Sequence, residues 1–178
     1  IGVQSPANIE VFNKIIPFKH KNVEVLFNWA SKRSNKTPSA YGKALFQKYK
    51  ISGKIIIFYG GNIGHAQDMD NIMRLARNLL PEDNVHFLLV GQGDEFDLVK
   101  KRKKDWRLKN LTLLASVTQE EYMSILNNVS VGLFSLSESH VSHNIPGKLL
   151  GYIQAKLPIL GSVNKGNDVI ELLSFAGA

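Results

Sequence analysis

The sequence contains no cysteine. Disulfides and thiolate metal sites are therefore excluded, and the chain suits a reducing cytosol. It also lacks any apolar run approaching the roughly 18 residues of a membrane span, and any signal-peptide pattern. Neither G-x-G-x-x-G nor a phosphate loop with Gly-Lys-Ser/Thr occurs, which weakens NAD and ATP readings. Acidic residues are in deficit, 15 against 22 Lys and Arg, for a net charge of +7. Much of the excess lies at Lys32, Arg33 and Lys36, and in Lys100-Lys101-Arg102-Lys103-Lys104, followed by Asp105-Trp106-Arg107. Such a run is a solvated helix face or a surface for anionic lipid or nucleic acid. Only Trp106 lies nearby, so the aromatic interleaving of a single-strand binder is missing. No nucleic-acid partner is expected; peripheral contact with a membrane is retained as an expectation beside the solvated face.

What is present is enough for a core: 178 residues, 44% of them hydrophobic. That length fits one domain, or one domain plus an appendage. The chain opens at Ile1 and stops at Gly177-Ala178, just past an apolar helical pattern, and reads as a piece of a longer protein.

Along the chain, Ser5-Pro6 predicts a helix start and a helix to about Ile15. Val23 to Phe27 reads as a strand. Asn28 to Ser39 is polar and basic with Pro38, as in a hinge. Ser39 is placed to cap a helix to about Lys50, with Ala44, Leu45 and Tyr49 as inward candidates. From Lys54 the pattern becomes regular. Ile55 to Tyr59 is a continuous apolar run, expected of a strand buried on both faces. Gly60-Gly61-Asn62-Ile63-Gly64 follows as a loop, then a helix over about Gln67 to Leu80. Further strands are expected at Val85–Val90, Leu111–Leu114, Val129–Phe134 and Pro158–Leu160. A capping box at Thr118-Gln119-Glu120-Glu121 opens a helix to about Asn127. Pro146 suits the first turn of a short apolar helix, and a last helix follows Gly166. Strands alternating with helices through short connections predict an α/β fold with a doubly wound, Rossmann-like parallel sheet.

Ligands of such sheets bind at the carboxyl ends of the strands. Those ends carry Gly60 to Gly64, Gly91 to Gly93, Ala115 to Val117 and Ser135 to Asn144. Glycines there admit close approach of backbone to a phosphate or sugar, and equally build a tight strand-to-helix turn. Lys148 adds a cation just past Pro146. Asp68-Met69-Asp70 has the Asp-x-Asp form of some metal–nucleotide sites, but acids also belong in the first turn of a helix, which is the preferred reading here. His65, His140 and His143 fall on strand-end loops, whereas His86 alternates within a strand and is expected to be structural. A His140–His143 metal pair has only Glu138 nearby as a further ligand, so no metal site is expected.

In their order, Gly60-Gly61-Asn62-Ile63-Gly64, Val90-Gly91-Gln92-Gly93-Asp94-Glu95, Ala115-Ser116-Val117 and Asn144-Ile145-Pro146-Gly147-Lys148 resemble the carboxy-terminal half of a GT-B glycosyltransferase. The chain is similar to family 4 of the retaining, nucleotide-sugar-dependent enzymes, and within it to bacterial transferases of O-antigen and capsule biosynthesis. The resemblance implies that residues 1–38 are the end of the amino-terminal domain and its hinge, and that 39–178 are the donor-binding domain, truncated at its end. It implies a metal-independent enzyme without cofactor. The donor would be a UDP-linked N-acetylated sugar. The acceptor would be a lipid-linked saccharide, brought by the missing amino-terminal domain at the cytoplasmic face of the membrane. By the same resemblance, Ser116 and Val117 meet the base through backbone groups, with Gly91 and Gly93 in the adjoining loop. Asn144, Ile145, Pro146, Gly147 and Lys148 meet the diphosphate, and Gly60, Gly61 and Asn62 border the phosphates or donor sugar. The family's two Glu positions fall on His143 and Gly151, and its Arg and Lys near the phosphates on Asn62 and roughly Ala66. His143 is thus a candidate contact for donor-sugar hydroxyls, and the catalytic residues are unassigned. Rival readings are a UDP-sugar epimerase of the same architecture, and a non-catalytic nucleotide- or nucleic-acid-binding module.

Overall fold

A computed structural model describes residues 1–15, 22–29, 40–139 and 145–175. The chain begins with β1 (Gly2–Val3), α1 (Pro6–Ile15) and β2 (Glu24–Val25), whose two strands pair in parallel as a separate small sheet. The strand expected over Val23 to Phe27 is thus only two residues long. Next come α2 (Tyr41–Lys48), β3 (Ile55–Asn62), α3 (Met69–Asn78), β4 (Val85–Gln92), α4 (Phe96–Asp105) and β5 (Leu111–Leu114). They are followed by α5 (Gln119–Leu126), β6 (Val131–Ser135), α6 (Lys148–Gln154), β7 (Ile159–Ser162) and α7 (Val169–Phe175).

Five of the strands form one parallel sheet in the order β5-β4-β3-β6-β7. Strand alternation gives it two apolar faces. Ile56, Phe58, Leu88 and Val90 pack with residues of α2, α5, α6 and α7. Ile57, Tyr59, Phe87 and Leu89 pack with residues of α3 and α4. Helices on both faces explain why β3 carries an unbroken apolar run over Ile55 to Tyr59, and β4 one over Phe87 to Val90. The winding direction reverses between β3 and β6. Those two strands pair over only Ile57–Val131 and Phe58–Gly132, so a crevice opens at their carboxyl ends, the place where doubly wound sheets bind ligands.

Several local expectations are corrected. In α2 the inward residues are Gly42, Leu45 and Phe46, while Ala44 and Tyr49 are exposed. The space beside α5 selects them: the Gly42 amide donates to the Ser124 hydroxyl at 2.9 Å. The cap expected at Ser39 lies outside the described residues; Ala40 occupies the N-cap. Gly60 to Asn62 is not loop, because β3 runs on through Asn62 in register with Gly91 and Gln92. The helix expected from Gln67 starts at Met69, after a short 3-10 turn over His65–Gln67. Pro146 precedes α6 rather than opening it, Gly147 being the N-cap.

Other expectations hold. Thr118 and Glu121 form the reciprocal capping box of α5. Asp68 caps α3, accepting the Asn71 amide at 3.1 Å, and Asp70 pairs with Arg102. The Asp-x-Asp motif is therefore a helix start. His86 is buried, 2.9 Å from the Thr112 hydroxyl, and burial pushes its pKa down to about 4.

Candidate functional site: a cleft at the carboxyl end of the sheet

A cleft of about 330 Å³ lies over the carboxyl ends of β3, β4 and β5. Gly61, Asn62, Gly91, Ser116 and Val117 line it, together with Val90, Gln92 and Tyr122. Five of the expected site residues thus converge from loops far apart in sequence.

The glycines make the floor. Gly61 and Gly91 face each other in the β3–β4 register. A Cβ on Gly91 would lie 1.8 Å from the Gly61 carbonyl oxygen, so any side chain there would force the strands apart. Gly93 has φ of +155°, and a Cβ there would sit 2.2 Å from the Ile63 carbonyl oxygen. Both residues are needed for β3 and β4 to end side by side. Gly60 is buried beneath the rings of Tyr122 and Phe58 and does not line the cleft.

The fourth expected loop enters through α6. Lys148 and Tyr152 are four residues apart and share a helix face. Tyr152 fills the gap where β3 and β6 part. Its hydroxyl lies 3.0 Å from the Leu133 carbonyl and 3.3 Å from that of Phe58, and accepts the Gly60 amide at 3.3 Å. Gly132 leaves room for the Tyr152 ring, since a Cβ there would meet it at 2.5 Å. This anchor sets α6 across the crevice and lays Lys148 beside Gly61, where a Cβ built on the glycine would meet the lysine Cε at 3.5 Å.

The Lys148 ammonium sits 3.5 Å from the centre of the Tyr59 ring. No carboxylate among the described residues is within ion-pair distance of it. Burial lowers its pKa to about 7, because a desolvated ammonium without a counter-charge is costly. An anion entering the cleft beside Gly61 would supply that counter-charge. The Tyr59 hydroxyl donates to the Asn62 carbonyl, and the Asn62 side chain donates to Gln67 at 2.9 Å. Behind this turn, His65 Nδ1 lies 2.8 Å from Glu95 Oε1, and Glu95 Oε2 is buried without a hydrogen-bond partner among the described residues.

The remaining expected residues are placed differently. Ile145 packs on the core and lines a small apolar groove with Leu149, Val169 and Phe27, away from the cleft. The Pro146 carbonyl accepts the Leu149 amide at 3.0 Å, and Gly147 is exposed. His140, His143 and Asn144 lie outside the described residues. No group of three or more His, Asp and Glu among the described residues is arranged to hold a metal ion. No described helix is long and apolar enough to cross a membrane.

Sequence reasoning passed over Tyr59, Gln92, Tyr122 and Tyr152. Gln92 stands between two motif glycines, and Tyr152 at helical spacing from Lys148, so both carried a signal. Tyr122 read as a helix residue, a pattern that marks no cleft wall; Tyr59 read as the end of a buried strand, which it is, and that pattern does not show the ammonium over its ring.

No protein-family model matches the chain. A Pseudomonas aeruginosa protein described as "Probable glycosyltransferase WbjE" is 26% identical over 125 residues, which are 70% of this chain and 31% of that protein. Anabaena HepE, solved in complex with UDP-glucose, superposes with a TM-score of 0.71 at 13% identity, over 99% of this chain and 52% of its own. WaaG, a glycosyltransferase involved in lipopolysaccharide biosynthesis, gives 0.69 at 15% identity, over 98% and 52%. The chain thus spans about a third of the curated relative and about half of these two structures. Its parallel five-stranded sheet, with helices on both faces, is the α/β fold of GT-B glycosyltransferase structures.

Proposed function

We propose that this chain is the donor-binding part of a glycosyltransferase. Its cleft takes the nucleotide of a nucleotide-sugar, a UDP-linked N-acetylated sugar by family resemblance. The observation that carries this is a glycine-walled cleft over the ends of β3, β4 and β5, with the Lys148 ammonium, which has no carboxylate partner among the described residues, set beside its wall residue Gly61. The similarity to a glycosyltransferase and the UDP-glucose complex of HepE support the same assignment.

In this proposal the nucleobase lies against Ser116 and Val117, and the diphosphate lies beside Gly61 and Lys148. The anomeric carbon–oxygen bond of the donor breaks, UDP leaves, and an acceptor hydroxyl bonds to that carbon with retention, its proton passing to the departing diphosphate oxygen. Negative charge grows on the departing diphosphate, and a preorganised ammonium stabilises it most at that moment. Lys148 and backbone N–H groups take this role in place of a metal. His143 remains the candidate for contacts to the donor sugar. The acceptor, a lipid-linked saccharide of bacterial O-antigen or polysaccharide assembly, comes on the amino-terminal domain. Residues 1–38 are the last part of that domain and the hinge, in keeping with the separate sheet of β1 and β2. The enzyme would work at the cytoplasmic face of the membrane, with α4 as a peripheral contact.

Titration calorimetry with UDP, GDP, NAD and UDP-N-acetylhexosamines tests the assignment. Selective binding of UDP and its sugars, weakened by Lys148→Ala, is expected. Equal binding of all four, or UDP binding indifferent to Lys148→Ala, sinks it.

A further inference from the structure

Resting on the donor-site assignment, we infer that Tyr59 is a positioning residue: its ring is the platform that holds the Lys148 ammonium where the diphosphate arrives. Tyr59 is fully buried. It is the last bulky residue of β3 before two glycines, so its ring is the only large side-chain surface of the strand next to Gly61. The Lys148 nitrogen lies 3.5 Å from the ring centre. A desolvated ammonium over an aromatic face is held by the ring quadrupole. Unlike a carboxylate, that face directs the charge without neutralising it, so the ammonium remains able to pair with an incoming anion. The Tyr59 hydroxyl, donating to the Asn62 carbonyl, fixes the ring against the end of β3. Tyr152 sets α6 from the opposite face of the sheet. A flexible lysine side chain is thereby confined at both ends, which reduces the entropy lost when the anion binds.

The test is a double-mutant cycle on the protein, read with UDP and with uridine, which lacks the diphosphate. Tyr59→Leu should weaken UDP binding about tenfold and leave uridine unchanged. In a Lys148→Ala background, Tyr59→Leu should cost nothing further. Tyr59→Phe keeps the ring and should restore UDP binding to within about threefold of the parent. Additive losses in the double variant, equal losses for uridine and UDP, or failure of Tyr59→Phe to restore binding would overturn the inference. A ligand-free readout separates this from the donor assignment itself. The ε-methylene protons of Lys148 should show an aromatic ring-current shift that survives Tyr59→Phe and vanishes in Tyr59→Leu. If that shift is present while UDP does not bind, the platform stands and the donor assignment falls. If the shift is absent, the platform falls whatever binds.

Discussion

Two cations of this molecule, Arg102 on α4 and Lys148 on α6, are built in opposite ways. The Arg102 guanidinium is clamped by Asp70 at 2.9 and 3.1 Å and stacks 5.2 Å from the centre of the Trp106 ring, with Arg77 5.1 Å from the same ring. Its hydrogen bonds to Asp70 raise its pKa and lower that of the carboxyl. Lys148 has an aromatic ring and no acid among the described residues. The arginine's charge is already matched within the fold and ties α3 to α4. The lysine's charge has no such match among the described residues and lies beside Gly61, a wall residue of the cleft. A counter-ion supplied by the protein marks a structural cation, and its absence at a sheet's switch point marks one available to a ligand.

The largest expected effect separates the two directly. Lys148→Ala should weaken UDP binding by about 10- to 100-fold, the scale of a lost charge-assisted hydrogen bond. Arg102→Ala should leave the same titration unchanged. A comparable loss at Arg102 would break the comparison.

Stability should respond with opposite signs. Folding depresses the pKa of Lys148 to about 7 from the ordinary 10.5. The ammonium is therefore disfavoured by the native state, fully so below pH 7, and the cost is relieved as pH rises from about 7 to 10.5. Lys148→Met should raise stability by about 2 kcal/mol or less at pH 6, with the gain fading toward pH 10.5, in urea unfolding. Asp70→Asn should lower it by about 1 kcal/mol or less, since both partners are partly exposed. Because the native Asp70 pKa is lowered, this contribution is present above the ordinary carboxylate pKa and is lost as pH falls through the native one.

His86 sharpens the comparison at the other end of the sheet. Its native pKa of about 4 lies below the ordinary 6.5. Urea midpoints should thus decline as pH drops from about 6.5 toward 4, and His86→Gln should flatten that decline. The smallest effect concerns α4. It starts at the carboxyl edge of β4 and ends before the amino end of β5, so Lys103 and Lys104 lie far from the cleft. Lys104→Ala should reduce binding to anionic liposomes at low salt by about fivefold or less and leave UDP binding unaffected. Unchanged liposome binding removes the membrane contact.

Much of the sheet was legible because buried parallel strands must be apolar on both faces, as Ile55 to Tyr59 and Phe87 to Val90 are. A helix start was legible at Thr118, where a side chain meets the backbone within three residues, whereas α3 was expected from Gln67 and is capped by Asp68. The end of β3 was misread as loop, since glycines signal turns unless a partner strand supplies the hydrogen bonds, as Gly91 and Gln92 do here. Within the site, the glycines, Ser116, Val117 and Lys148 came from motif order. Tyr122, which walls the cleft, and Tyr59, buried under the Lys148 ammonium, did not, because an aromatic that walls a cleft and one that fills a core look the same in a sequence.

By itself, the sequence determined the alternation of elements, the absence of thiolate chemistry, and the strand ends at which a ligand could bind. Those are local properties: side-chain periodicity, caps and turn residues act within a few positions. Only the tertiary structure decided which cation is free. Lys148 meets Tyr59 across 89 positions, and Arg102 meets Asp70 across 32. Coulomb and quadrupole forces act over a few ångströms of space, and the packing of the helices on the sheet alone sets which residues share it.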